Sequence, residues 1–255
     1  MMGRQRTMVL LALVAGCSSL AGDTTGVVAI EVISPQFPTM EDRDTINLVT
    51  QTLHARALNL QGDSIDGNIK WTSADSLAVV VDSAIPYIVG VGTSGSPRIQ
   101  ARVGTLGSTI LTYSLSARSD TIALTGSDSI TVDGNNVLSD SLQVSLQSFQ
   151  PAGPIANRRL IFTITSPVFA TPADRTIEFP GHGLVDTATT GINGAPQTGV
   201  TLTRITGKVA PDSVVVTVTA HRPSGREVPG LVRPIVVHFE PLIGAVNQQP
   251  LAASR

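Results

Sequence analysis

Apolar and polar residues alternate with a period of two along much of this chain, in short runs cut by Gly, Pro, Asp and Ser. Successive side chains of a strand point to opposite faces, so these runs predict half-buried β-strands. In the first half the runs fall at 27–33, ended by Pro35 and Pro38, then loosely over 45–57, and at 69–75, 78–82, 88–93 and 99–103. Turn chemistry separates them at Gln61-Gly62-Asp63 and Asp66-Gly67. Residues 116–120 lack long apolar character and read as a join. Beyond it come runs at 120–124, 129–132 and 142–147, where Leu142, Val144 and Leu146 alternate with Gln143, Ser145 and Gln147. Further runs occupy 160–165, 212–220 with Val214, Val216, Val218 and Ala220 on one face, and 234–239, which could close the sheet. Short strands at this spacing predict all-β sandwiches, with a long irregular excursion at 169–186.

The N-terminus breaks the pattern. Arg4 and Arg6 precede a short apolar run from Met8 to Ala15, which reads as a targeting segment covering residues 1–16. The run is far below the roughly 20 residues that span a bilayer. Leu13-Val14-Ala15-Gly16-Cys17 resembles the lipobox of bacterial lipoproteins. That resemblance implies cleavage before Cys17 and acylation of its thiol and new amine, with membrane attachment through the lipid. Two or more acyl chains, at roughly 0.8 kcal/mol per buried methylene, hold a protein stably on a bilayer. Residues 17–26 are then a lipidated flexible tether. Ordinary secretion after Ser19-Leu20-Ala21 is the alternative. Ser18 after the cysteine favours the outer membrane of a bacterial envelope.

Composition narrows the partners. Cys17 is the sole cysteine, so no disulfide framework or thiolate metal site is available and stability rests on packed cores. A net charge of −2 with 14% charged residues, scattered along the chain, argues against nucleic acid as a partner.

Within 27–118, Trp71, Ser73, Asp75, Val79, Gly92, Thr93, Ile99 and Ala101 follow the order of a recurring pattern: a Trp, a Ser-x-Asp-like turn, a Val pair, a Gly-Thr and an Ile-x-Ala strand. This stretch resembles the bacterial immunoglobulin-like group 2 family. It departs from that family in lacking a glycine over 82–87 and in a small insertion at 94–97. Trp71, on one strand face with Ile69, reads as a core residue between two sheets. Residues 119–240 are similar, more weakly, to the immunoglobulin-like modules of invasin- and intimin-type surface proteins, through the strand entry 154–165 and the stretch 189–195. The predicted architecture is therefore two tandem immunoglobulin-like β-sandwiches after a lipoprotein signal peptide, with a disordered tail at 241–255.

Catalytic signatures are missing. There is no His-Glu-x-x-His, no P-loop around Gly207-Lys208 and no Gly-x-Ser-x-Gly. Glu178, His182, Asp186 and His221 form the best set of zinc-type donors, but their spacing is not diagnostic. His182 reads equally as an exposed loop residue and His221 as the end of the valine strand. Asp63, Asp66, Asp128 and Asp133 could offer oxygen to calcium, although hairpin turns explain the Asp-Gly pairs more simply. Phe149, Tyr87 and Phe179 are the candidates for exposed aromatic platforms.

No cofactor is expected, and the only site residue with a role is Cys17, for lipidation. What the resemblances imply is a non-catalytic envelope lipoprotein displaying its modules for adhesion or interaction with a protein or surface glycan. The alternatives are an accessory subunit of an envelope complex and, further off, a secreted enzyme or carbohydrate-binding protein.

Overall fold

A computed structural model describes residues 26–34, 38–47, 53–81 and 87–242. The Cys17 anchor, the signal segment, nearly all of the tether and the tail beyond 242 lie outside the described residues. The described chain is all-β, arranged as two sandwiches in tandem, and its single helical turn is the 3-10 turn Pro172–Asp174.

In the N-terminal sandwich, Ala29–Ile33 pairs with His54–Leu58, which pairs with Ser64–Ile65. Lys70–Ser73 pairs with Arg98–Val103, which also carries Leu106–Gly107 and Leu111–Thr112. The remaining strands form two small sheets: Thr45–Asn47, Tyr87–Gly90 and Ala78–Val81 in one, Thr39–Glu41, Ser114–Ser116 and Ser94–Gly95 in the other. The described parts of the loosely alternating 45–57 run belong to two strands in different sheets. The apparent insertion at 94–97 contributes an edge strand, Ser94–Gly95, along Leu115 and Ser116. Met40, Ile46, Leu53, Ala78, Ile88, Ile99, Tyr113 and Leu115 make the core. Trp71 is half-buried and packs against that core from its side, while the fully buried aromatic is Tyr113.

The C-terminal sandwich has the clearer pattern. One sheet runs in the order Ser129–Val132, Ile235–Phe239, Ser213–Ala220, Arg159–Ser166, Val185–Thr189. Its partner sheet is Thr121–Leu124, Val144–Phe149, Ala152–Pro154. Val214, Val216, Val218 and Ala220 all face inward, and register places Val218 beside Phe162 and Val216 beside Ile164 and Ile235. Branched side chains stacked across neighbouring strands build this core. Ile235–Phe239 does not close the sheet. It lies inside, and Ser129–Val132 runs parallel to it as the edge, so the sheet continues one strand further than the local pattern suggests.

The 169–186 excursion is anchored at both ends of its path. Asp174 accepts from the Thr171 amide (3.0 Å) and hydroxyl (2.7 Å), which fixes the 3-10 turn. Ile177–Glu178 then pairs with Thr203–Arg204, and Ile177 and Phe179 are fully buried beneath it. This overturns Phe179 as an exposed platform: period two puts it on the same inward face as Ile177.

Candidate functional site

The densest charge run of the chain is Glu41-Asp42-Arg43-Asp44. Four charged residues in a row ordinarily mark a solvated loop, but here the strand Thr39–Glu41 runs parallel to Ser114–Ser116 and carries Glu41 into the contact between the sandwiches. Its side chain is wholly buried. An isolated carboxylate in that position would cost several kcal/mol in lost hydration. Every one of its partners offsets that cost. Arg158 Nε donates to Oε1 at 2.8 Å, Arg222 Nε stands 3.9 Å from Oε2, and Ser119 donates its amide (2.9 Å) and its hydroxyl (2.7 Å).

The two arginines come from the C-terminal sandwich and are held as firmly as the carboxylate. Arg158 follows Asn157, whose φ of 57° turns the chain, and the Arg158 amide donates to the Thr190 hydroxyl at 2.9 Å. Its guanidinium also reaches the Ser116 hydroxyl at 2.7 Å. Arg222 begins a tight turn closed by its amide on the Arg226 carbonyl (2.8 Å), and its Nε donates to the Ser119 carbonyl (2.8 Å). A second carboxylate, Asp120, completes the cluster by accepting from Arg118 Nε (2.6 Å) and the Phe149 amide (2.8 Å). The 116–120 join is therefore not a loose linker. Ser119 and Asp120 are buried, because their polar groups line the ionic cluster.

A smaller bridge runs alongside. Arg43, at a φ of 54°, extends its guanidinium to the Gln150 side-chain oxygen (3.1 Å), and Asp42 accepts from the Gly92 amide (2.8 Å). Between these elements lies a cleft of about 450 Å³ lined by Asp42, Arg43, Val91, Thr93, Gln150 and Pro151. Phe149, 63% exposed, precedes this lining, whereas Tyr87 is half-buried. The chemistry of the arrangement is ionic cohesion. Each oxygen of Glu41 and Asp120 accepts from a donor.

The residues singled out in the sequence take other places. His182 Nδ1 approaches Asp186 Oδ1 at 3.4 Å, but Glu178 pairs with Thr203 and His221 bridges Glu227 at the junction end of its strand. Among the described residues no group of three or more His, Cys, Asp or Glu side chains is placed to hold a metal ion. Asp133 accepts from the amide (2.8 Å) and side chain (3.0 Å) of Asn135, a local turn contact, and Asp128 stands 3.9 Å from Arg233. Asp63 lies in the Asn59–Asp63 turn, where its amide donates to Asn59 at 2.8 Å, and Asp66 is exposed. Gly62, with φ of 85°, supplies the left-handed residue of that turn; Gly67 and Gly134 do not adopt positive φ. Asp75 ties the Ser73–Asp75 turn to the paired strand Arg98–Val103 by accepting from the Leu77 amide (3.1 Å), the Arg98 amide (3.0 Å) and Arg98 Nε (3.3 Å). Burial works against its charge, but those backbone bonds and the guanidinium outweigh it and hold the carboxyl below its ordinary value.

No family model and no curated protein sequence matches the chain. Solved structures are similar at low identity. The Yersinia pseudotuberculosis adhesin InvE aligns at 15% identity over 83% of this chain and 58% of its own, with a TM-score of 0.34. Fibronectin(III)-like modules of Clostridium thermocellum CbhA align at 12% identity over 84% of this chain and 94% of theirs, with a TM-score of 0.39. Domains 4–9 of the surface layer protein SbsC align at 16% identity over 84% of this chain, with a TM-score of 0.31, and the chain spans only 32% of that structure.

Proposed function

We propose that this chain is a non-catalytic lipoprotein of a bacterial cell envelope, whose two sandwiches, divided near residues 118–119, form one stiff unit displayed for adhesion or protein interaction. The observation that carries this reading is the burial of Glu41 between Arg158 and Arg222, because it fixes one sandwich on the other through charges that cannot part cheaply. A stiff reach suits a displayed module better than a catalytic one. The lipobox-like Leu13–Cys17 stretch supports attachment through Cys17, with the outer membrane favoured by Ser18. Mass spectrometry of the mature N-terminus tests the anchor. The expected result is an acylated Cys17, with Cys17→Ser released from membranes; a mature chain beginning at Gly22 refutes it. Cross-linking on intact cells, followed by identification of bound material from the same cell or from a host surface, separates an envelope subunit from an adhesin.

A further inference from the structure

Each sandwich contains a pair of parallel strands, and in each the pair joins an early strand to the last one. In the N-terminal sandwich Thr39–Glu41 runs parallel to Ser114–Ser116, and the ladder is extended by the Ser114 amide on the Pro38 carbonyl (3.0 Å) and the Asp42 amide on the Ser116 carbonyl (2.9 Å). In the C-terminal sandwich Ser129–Val132 runs parallel to Ile235–Phe239, extended by the Val236 amide on the Asp128 carbonyl (2.8 Å) and the Glu240 amide on the Val132 carbonyl (3.0 Å). Strand direction decides how such a ladder meets tension. A pull along the chain draws the early strand toward the N-terminal side and the last strand toward the C-terminal side. Parallel strands must then slide past one another, and the hydrogen bonds between them are strained together. Pulled from matching ends, the same bonds would break one at a time.

An arginine ties each pair at the end where the last strand leaves the sandwich. Arg158 spans Glu41 Oε1 (2.8 Å) and the Ser116 hydroxyl (2.7 Å), which belong to the final residues of the two strands, and Ser119 adds its amide and hydroxyl to the same carboxylate. Arg204 does this with backbone acceptors. It is 6% exposed, its Nη2 donates to the carbonyls of Glu240 (2.6 Å) and Val132 (3.4 Å), and its Nε donates to the Asn136 carbonyl (3.1 Å). The guanidinium also lies 5.1 Å from the centre of the Phe239 ring. A charged donor makes the stronger class of hydrogen bond, and its planar fork reaches two strands at once. We propose that these two arginine-clasped strand pairs are tension locks, which let the chain transmit a pulling force without unfolding. The proposal rests on the reading of an anchored, displayed protein, because only a chain held on both sides is stretched. The N-terminal lock takes Arg158 from the neighbouring sandwich, so it holds only while the junction is closed.

The test is stretching of the solubilised full chain, carrying Cys17→Ser, in an optical trap. In one geometry the handles are attached at the two chain ends. In the other they are attached through Ser127→Cys and Arg233→Cys, exposed positions beside the starts of Ser129–Val132 and Ile235–Phe239. The C-terminal sandwich, identified by its longer released chain, should withstand several times more force when pulled from the chain ends than from the matching strand starts. Forced unfolding is governed by the unfolding rate, so loss of the charge-assisted bonds in Arg204→Met should raise that rate roughly tenfold or more at fixed end-to-end force. The same substitution should leave the first rupture from the strand starts unchanged, because that pull opens the ladder from the end opposite Arg204. Equal rupture forces in the two geometries overturn the proposal even if Arg204→Met fails to fold. An equal effect of Arg204→Met in both geometries also overturns it, by marking the arginine as a general stabiliser. Neither result touches the anchored reading, which stands or falls on acylation of Cys17.

Discussion

Asp75 and Tyr113 show opposite ways of burying a polar group. Asp75 is stabilised as an anion by Leu77 and Arg98, and its folded pKa lies below the ordinary 3.8. A lowered carboxyl pKa contributes stability that is present above the unfolded value and is lost as pH falls through the folded one. Urea midpoints of wild type and Asp75→Asn should therefore differ at neutral pH and converge below about pH 3.8; parallel curves across the acid range would remove the charge from the account. Tyr113 is the reverse case. It is 2% exposed, its hydroxyl has no partner, and burial pushes its pKa above the ordinary 10.0. Because that hydroxyl lost its water without gaining a bond, Tyr113→Phe should be neutral or stabilising by about 1 kcal/mol in urea unfolding at pH 7. The raised pKa predicts a further difference: wild-type stability falls as pH rises past 10, and the phenylalanine variant lacks that fall.

At the scale of elements, period-two alternation located most of the strands because one face of each is buried. Ser213–Ala220 and Arg159–Ser166 are the clearest, with inward Val, Ile, Leu and Phe in register across the pair. The pattern does not encode which strands become neighbours. The parallel pairing of Ser129–Val132 with Ile235–Phe239 joins segments about a hundred residues apart, and nothing local specifies it. Two-residue strands such as Ser94–Gly95 are too short to show a period at all. Gly90 illustrates a further limit. It sits inside the 88–93 run, where the alternation gives it no special part, yet a Cβ there would sit 2.4 Å from the Glu41 carbonyl oxygen, 2.8 Å from Met40 and 3.0 Å from Leu115. Its role is close approach of Tyr87–Gly90 to the strand that carries Glu41. Gly90→Ala should cost roughly 1–3 kcal/mol through backbone displacement, measured as a lower urea midpoint, and the loss should fall on the N-terminal sandwich because the C-terminal core does not touch Gly90.

At the scale of the whole molecule, the junction was the part least visible in the sequence, and the reason is physical. Glu41, Ser119, Arg158 and Arg222 meet only after both sandwiches have folded, and each alone has the character of a surface residue. Charge runs are read as solvated unless a partner is known, and the two arginines that meet Glu41 lie more than a hundred positions away. Burial makes the cluster strong in a particular sense. Removing one member leaves the others charged and dry, a cost of about 3–5 kcal/mol, although the intact cluster adds little over an apolar contact. Glu41→Gln keeps the shape and removes the charge, so it isolates this effect. Wild type should tumble as one body in amide relaxation and unfold in a single transition. Glu41→Gln should unfold in two steps, with each sandwich tumbling separately, and Arg158→Gln in the same background should add less than its effect alone, because the two share one interaction. Buried pairs are poorly screened, so raising salt to 1 M should not reproduce the variant. Retention of single-body tumbling in Glu41→Gln would mean that the sandwiches are held by other contacts, with the Arg43–Gln150 bridge the next to remove.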